Sequence, residues 1–214
     1  MSQPRPVVPA KEALARLMEG NKRYAQNVRS VDSLLSHSRR DLTLQNPCAI
    51  ILGCSDSRAP AEIVFDQGLG DLFVIRVAGN IVAPSQVGSV EFAASRYNTR
   101  LVIVLGHSQC GAVLATIEEM RRPSESRSWN LQSIVERVRP SVSALLGTEL
   151  ANDPDALVHH AVRANIRASV DHLRHGSSLL EQLIRNEGLL VVGAEYSLET
   201  GEVTFLDGAE TDET

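Results

Sequence analysis

The chain has 214 residues, of which 43% are hydrophobic and 22% charged, and its 21 basic and 26 acidic side chains leave a formal net charge of −5. That balance suits one domain with a sizeable core and argues against a nucleic-acid footprint, since the basic pairs Arg39-Arg40 and Arg121-Arg122 stand isolated. No apolar run approaches the roughly 18 to 20 residues that span a bilayer, and the Met1–Pro6 start lacks a signal-peptide core, so a cytoplasmic protein without a membrane partner is expected.

Three prolines within residues 1–9 predict an extended start to an N-terminal arm over 1–30. A helix should follow Pro9, with Ala13, Leu14, Leu17 and Met18 as its apolar stripe, acting as core or subunit contact. The polar stretch 27–47 reads as loop with short helix, and 48–53 as a buried strand. A short helix is expected over 59–66, followed by a turn at Gly68-Leu69-Gly70 and a second strand from Leu72 to Val77. Residues 86–97 read as a helix and Leu101–Leu105 as a third strand. A helix should run from about Cys110 to Arg122, and another over 129–146 with a break at Pro140.

Asp153-Pro154 should open a longer helix carrying Val158, Val162, Ile166, Ser169, Val170 and Leu173 on one stripe, interrupted at Gly176. Ser178-Leu179-Leu180-Glu181 reads as a capping box and Gly188 as a C-cap. Leu189–Val192 is a fourth strand, and Leu198–Val203 a hairpin turn into a last strand, Val203–Leu206. An acidic, flexible tail is expected over 208–214. Alternating strands and helices predict an α/β fold with a mainly parallel central sheet, an antiparallel edge strand and flanking helices. No repeat or linker divides the chain, so 1–214 reads as one domain.

Two strands end alike. Ala49-Ile50-Ile51-Leu52-Gly53 runs into Cys54, and Leu101-Val102-Ile103-Val104-Leu105-Gly106 runs into His107 and then Cys110. The carboxyl ends of parallel strands are where open α/β sheets build their sites. Two thiolates and one imidazole suit zinc and leave a fourth position free, as in catalytic zinc sites. His107 and Cys110, three apart at a strand-to-helix junction, can reach one ion, and the helix start after Cys110 favours a thiolate. Cys54 joins them if the two strands are neighbours. In Cys54-x-Asp56-x-Arg58 the alternate side chains share one side of an extended loop. Asp56 then has two roles open to it. It can be the fourth zinc ligand, or Arg58 can hold it in a two-pronged ion pair while water takes the fourth position. Two thiolates cancel the formal charge of the metal, so its water should be less acidic than the pKa of about 7 seen with three histidines. Activity should rise with pH.

Cys54-Ser55-Asp56-Ser57-Arg58 and His107-Ser108-Gln109-Cys110-Gly111 resemble the two signature segments of the β-class carbonic anhydrases. The similarity extends through Phe65–Gly68, Phe73–Asn80 and Gly88–Ala93, and covers nearly the whole chain. It implies an α/β sheet assembled as homodimer or homotetramer, with a helical arm on the neighbour, and reversible hydration of carbon dioxide to bicarbonate. It assigns one Zn2+ per chain to Cys54, His107 and Cys110, and an Asp–Arg dyad to Asp56 and Arg58. Gln45, nine residues before Cys54, matches a substrate-binding glutamine. Gly111 matches a backbone group beside the substrate, and Phe73 and Phe92 match pocket lining, some of it across the subunit interface. The implied mechanism is attack of zinc-bound hydroxide on carbon dioxide, with Asp56 orienting the hydroxide and Gln45 steadying a substrate oxygen. Ile51 departs from the tryptophan that some bacterial members carry at an inhibitory bicarbonate site, and Phe92 from a tyrosine.

Other readings of the same residues are a hydrolase of carbonyl sulfide or carbon disulfide on the same site, and a non-catalytic, closed zinc-binding module. A cysteine phosphatase using Cys54 and Arg58 would need a longer phosphate loop and leaves His107 and Cys110 unexplained. Cys48 reads as a small buried hydrophobe, and His37, His159, His160, His172 and His175 as surface or satisfied histidines.

Overall fold

The computed structural model describes residues 7–28, 45–123 and 128–206. Most of the polar stretch 27–47, the first six residues and the acidic tail lie outside them. The described elements are α1 (Ala10–Ala25), β1 (Ala49–Gly53), α2 (Ala61–Val64), β2 (Leu72–Arg76), a 3-10 turn (Ala78–Asn80), α3 (Pro84–Arg96), β3 (Leu101–His107), α4 (Gly111–Arg121), α5 (Trp129–Leu146), a second 3-10 turn (Glu149–Asn152), α6 (Pro154–His175), α7 (Ser178–Glu187), β4 (Leu190–Tyr196) and β5 (Val203–Phe205).

The strands form one sheet in the order β2-β1-β3-β4-β5, with the first four parallel and β5 antiparallel to β4. From β1 the chain moves outward to β2, then crosses back to β3 on the other side of β1. The order therefore reverses between β1 and β3, and the crevice at such a switch point is where open sheets bind ligands. Both faces of the sheet are covered, which is why β1 and β3 read as unbroken apolar runs. Ile50, Leu52, Val102 and Val104 point into a core shared with α3 to α7. Ile51, Leu101, Ile103 and Leu105 point into a second core with α1 and α2.

The helix α1 buries Ala10, Ala13, Leu14 and Leu17 against its own sheet, so its stripe is core within the subunit, while Met18 faces outward. The long helix α6 starts where Asp153 Oδ1 accepts from the N–H groups of Asp155 and Ala156. Its Ile166 seats on the sheet at two glycines. A Cβ on Gly106 would stand 2.5 Å from Ile166 Cδ1, and one on Gly193 2.8 Å from Ile166 Cγ2. Only glycine allows the helix so close to β3 and β4.

Several boundaries differ from the sequence expectation. Pro140 lies inside α5 without breaking it. A proline removes one helical hydrogen bond, but Val135, Val138 and Val142 bury the same face on both sides of it and hold the helix together. The cap of α7 is Ser177, one residue before the expected box, because Ser177 has the extended backbone and its Oγ accepts from Leu180 N–H. The helix α3 begins at Pro84, which suits a first helical position. β3 and β4 each run on to the site, where His107 pairs with Tyr196.

Candidate active site

Cys54 follows β1, His107 is the last residue of β3, and Cys110 caps α4. Between them Gln109 takes a left-handed backbone (φ 54°), which folds the loop back so that His107 and Cys110 face one point. Cys54 Sγ and Cys110 Sγ are 4.0 Å apart. All three ligand atoms lie within 4.8 Å of one another, the one such group of metal-type side chains among the described residues. Zinc–sulfur bonds of about 2.3 Å at a tetrahedral angle would set the sulfurs about 3.8 Å apart, so the spacing fits.

The donor chemistry fits as well. His107 Nδ1 lies 2.9 Å from the Ser108 carbonyl, and donating there leaves Nε2 free to ligate. Nε2 is buried without a hydrogen-bond partner, as a ligand nitrogen awaiting a cation would be. Burial opposes a charged His107, yet the Cys54 sulfur, the Ser108 carbonyl and Asp56 together raise its pKa, so the surroundings favour positive charge. The contact between the sulfurs pulls Cys54 far below the usual thiol range against the effect of burial, and the same contact together with burial pushes Cys110 up. The N–H groups of Val113 and Ala112, at the start of α4, pull the other way and favour a Cys110 thiolate.

Asp56 is gripped by Arg58. Arg58 Nε donates to Oδ1 at 2.9 Å, its terminal nitrogen to Oδ2 at 2.8 Å, and its backbone N–H to Oδ1 at 2.9 Å. This pairing holds the carboxyl well below the usual carboxylate range, against the opposing effect of burial. Asp56 Oδ2 also stands 3.8 Å from His107 Nε2, at the border of the ligand group. Of the two roles open to Asp56, the geometry is that of the ion pair.

A family model described as carbonic anhydrase matches residues 49–203. Carbonic anhydrase 2 of Mycobacterium tuberculosis is 37% identical over 192 residues, covering 89% of this chain and 90% of that protein. The carbonic anhydrase of Mycolicibacterium smegmatis is 37% identical over 188 residues, covering 87% and 88%. Among solved structures, the β-carbonic anhydrase CafA of Aspergillus fumigatus superposes with a TM-score of 0.69 at 27% identity, covering 80% of each chain. This chain belongs to the β-carbonic anhydrase family. It is an enzyme of that class.

The remaining residues suggested by the resemblance to β-carbonic anhydrases fall in different places. Gly111 opens α4 beside Cys110, and the space where a Cβ would stand is empty, so its backbone fronts an opening. Gln45 is exposed and precedes β1, whose five residues separate it from Cys54 by about 17 Å of strand. Phe73 pairs with Ile50, near the same far end of the sheet. It stacks with Phe92 and Tyr97 at centroid distances of 6.3 and 6.0 Å, and Phe92 is 53% exposed. Within one subunit the fold does not bring Gln45, Phe73 or Phe92 to the ligands.

Three supporting residues escaped the sequence reading. Arg76 Nε donates to the Cys54 carbonyl at 3.0 Å, and its terminal nitrogen donates to the Asp56 carbonyl, pinning the loop between ligand and dyad. Gly79 N–H points at Cys54 Sγ at 3.4 Å. Ser108 Oγ accepts from Leu198 N–H at 3.0 Å, tying the His107 loop to the β4–β5 hairpin. Arg76 and Gly79 lie in the Phe73–Asn80 segment that carried the resemblance, but neither has a local signal for its contact.

Proposed function

We propose that this chain catalyses the reversible hydration of carbon dioxide to bicarbonate and a proton, with one zinc ion held by Cys54, His107 and Cys110. The observation that carries the reading is the buried, unpartnered His107 Nε2 converging with two sulfurs beside an Arg58-bound Asp56. When bound, zinc supplies a Lewis acid that lowers the pKa of a coordinated water and so provides the nucleophile.

The chain's own residues do the rest. Asp56, ionised because Arg58 grips it, accepts a hydrogen bond from the attacking oxygen and turns a lone pair toward carbon dioxide. Arg58 keeps Asp56 from migrating onto the metal, and Arg76 fixes the backbone carbonyls on either side of Ser55. The Gly111 backbone borders the space where substrate would sit. Gln45, Phe73 and Phe92 serve a neighbouring copy in a homodimer or homotetramer. That assignment is supported by their distance along the sheet from their own ligands and by the exposure of Phe92. Carbon dioxide and bicarbonate are then the only small-molecule partners required. The three cysteines are free thiols, which suits the reducing cytoplasm. No described helix is long and apolar enough to cross a membrane.

Stopped-flow hydration of carbon dioxide by zinc-assayed protein, from about pH 6.5 to about pH 9, tests the reading. Turnover that climbs with pH is expected. Protein carrying one zinc per chain with no turnover at any pH would overturn it, and turnover confined to carbonyl sulfide or carbon disulfide would reassign the substrate.

A further inference from the structure

The hydrogen bond from Gly79 to Cys54 depends on a turn with one closing bond of its own, from Asn80 N–H to the Val77 carbonyl at 3.1 Å. Gly79 sits in the left-handed region (φ 75°, ψ 19°) inside the Ala78–Asn80 turn, directly after the edge strand β2. The chain around it is laced to β1: Val77 N–H donates to the Gly53 carbonyl at 3.1 Å and Ser55 N–H to the Val77 carbonyl at 3.3 Å. These two bonds bracket Cys54, and the Gly79 and Asn80 carbonyls take their partners from elsewhere.

Those carbonyls are held from another element. Asn165 Nδ2 donates to the Gly79 carbonyl at 2.7 Å, and Ser169 Oγ to the Asn80 carbonyl at 3.0 Å. Both side chains are buried and stand four residues apart on α6, hence on one face of it. Asn165 is next to Ile166, which seats α6 in the notch at Gly106 and Gly193. Sheet, helix and turn are thus in register, and two buried polar side chains fasten two successive carbonyls of the turn.

We propose that Asn165 and Ser169 are positioning residues for the metal thiolate, holding the Ala78–Asn80 turn so that Gly79 N–H stays directed at Cys54 Sγ. The inference rests on the metal reading above. An N–H bond to a thiolate withdraws charge from sulfur and fixes its position, so losing it raises the sulfur lone pairs in energy and lets the ligand drift from the geometry the ion needs. Contacts of this kind outside the ligand set typically govern about 10- to 100-fold in metal affinity or activity.

The test uses the cobalt-substituted protein and needs no turnover. Ser169→Ala and Asn165→Ala are compared with Ser169→Thr, which keeps a hydroxyl, and with Val170→Ala, which weakens the same helix without touching the turn. The readouts are the thiolate-to-cobalt charge-transfer band, metal affinity by chelator competition, and thermal melting. Ser169→Ala and Asn165→Ala should move the band to longer wavelength and weaken affinity about tenfold. Ser169→Thr should restore the parent spectrum, and Val170→Ala should lower the melting temperature with the band in place. Ser169→Ala remains informative if Asn165→Ala does not fold. A Ser169→Ala protein with parent spectrum and affinity overturns the proposal, as does a Val170→Ala protein with the same band shift. A parent protein that binds cobalt with no thiolate band would instead overturn the metal assignment, and the proposal with it.

Discussion

Replacing Gly79 by alanine, with Gly188→Ala as its partner experiment, separates backbone strain from the work that Gly79 does at the site. Both glycines are left-handed, at φ 75° and φ 70°. An L-residue there loses about 1 to 2 kcal/mol. The lower freedom of alanine in the unfolded chain restores about 0.4 to 1 kcal/mol. At Gly188 that is the whole account, because nothing lies within 4 Å of the new Cβ. The net loss is about 1 kcal/mol, or about 2 to 4 °C in melting temperature for a chain of this size. At Gly79 the new Cβ would stand 2.9 Å from the Ala112 Cβ. Carbon atoms prefer about 3.5 to 4.0 Å, and overpacking of this kind adds about 1 to 3 kcal/mol. Gly79→Ala should therefore lose about 2 to 4 kcal/mol, or roughly 4 to 16 °C. Because the turn must rotate to relieve the contact, its N–H should leave Cys54, and metal should dissociate faster. Differential scanning fluorimetry and zinc release to a chromogenic chelator measure both. Equal melting temperatures in the two variants would mean that Gly79 does not crowd Ala112, and parent zinc release from Gly79→Ala would mean that its N–H does not hold Cys54.

Asp56→Asn should keep its zinc and lose about 100-fold or more in carbon dioxide hydration, since the group that orients the nucleophile no longer carries charge; near-parent turnover would remove Asp56 from the mechanism. Arg58 holds the Asp56 pKa below its ordinary value, so the contribution of this pair is present above the ordinary carboxylate pKa of about 4 and fades only as pH falls further. The rise of activity above neutrality must then come from another group, and the melting-temperature difference between parent and Asp56→Asn should stay constant from about pH 5 to about pH 8; a difference that shrinks across that range would contradict the pairing. The Tyr24 and Tyr196 hydroxyls meet at 3.0 Å, and burial plus this contact push Tyr196 up to about 12. An unfolded phenol ionises near pH 10, so this contribution to stability is full below that and is lost as pH rises toward 12. Tyr24→Phe should lower the Tyr196 titration in phenolate absorbance, and an unchanged titration would leave burial as the whole cause. Stripping the metal should speed the reaction of Cys54, whose thiol is held low, with a disulfide reagent, while Cys48, whose thiol burial pushes up, stays slow; equal reactivity of Cys54 before and after stripping would speak against it as a ligand.

The features whose physics is local could be read from the chain alone. A β-branched run ending in glycine and a ligand marks both β1 and β3, Asp153-Pro154 announces α6, and Gly188 ends α7, because each depends on residues within a turn or two. The types and spacing of Cys54, His107 and Cys110 were legible for the same reason, as was the placing of Asp56 within reach of Arg58. Local signals also misled where two neighbours compete for one role. Ser177 rather than Ser178 became the cap, and α5 ran through Pro140 because its buried valines outweigh one missing bond.

Strand order and close approach came from the folded packing. It made β1 and β3 neighbours, which turned three separate ligands into one group. It left Gln45 and Phe73 toward the far end of the sheet from their own ligands. It also set Asn165 on a turn 86 residues away in the chain, through a helix that fits only where Gly106 and Gly193 have no side chain. A residue's neighbours along the chain do not encode such contacts, because they arise from how finished elements pack.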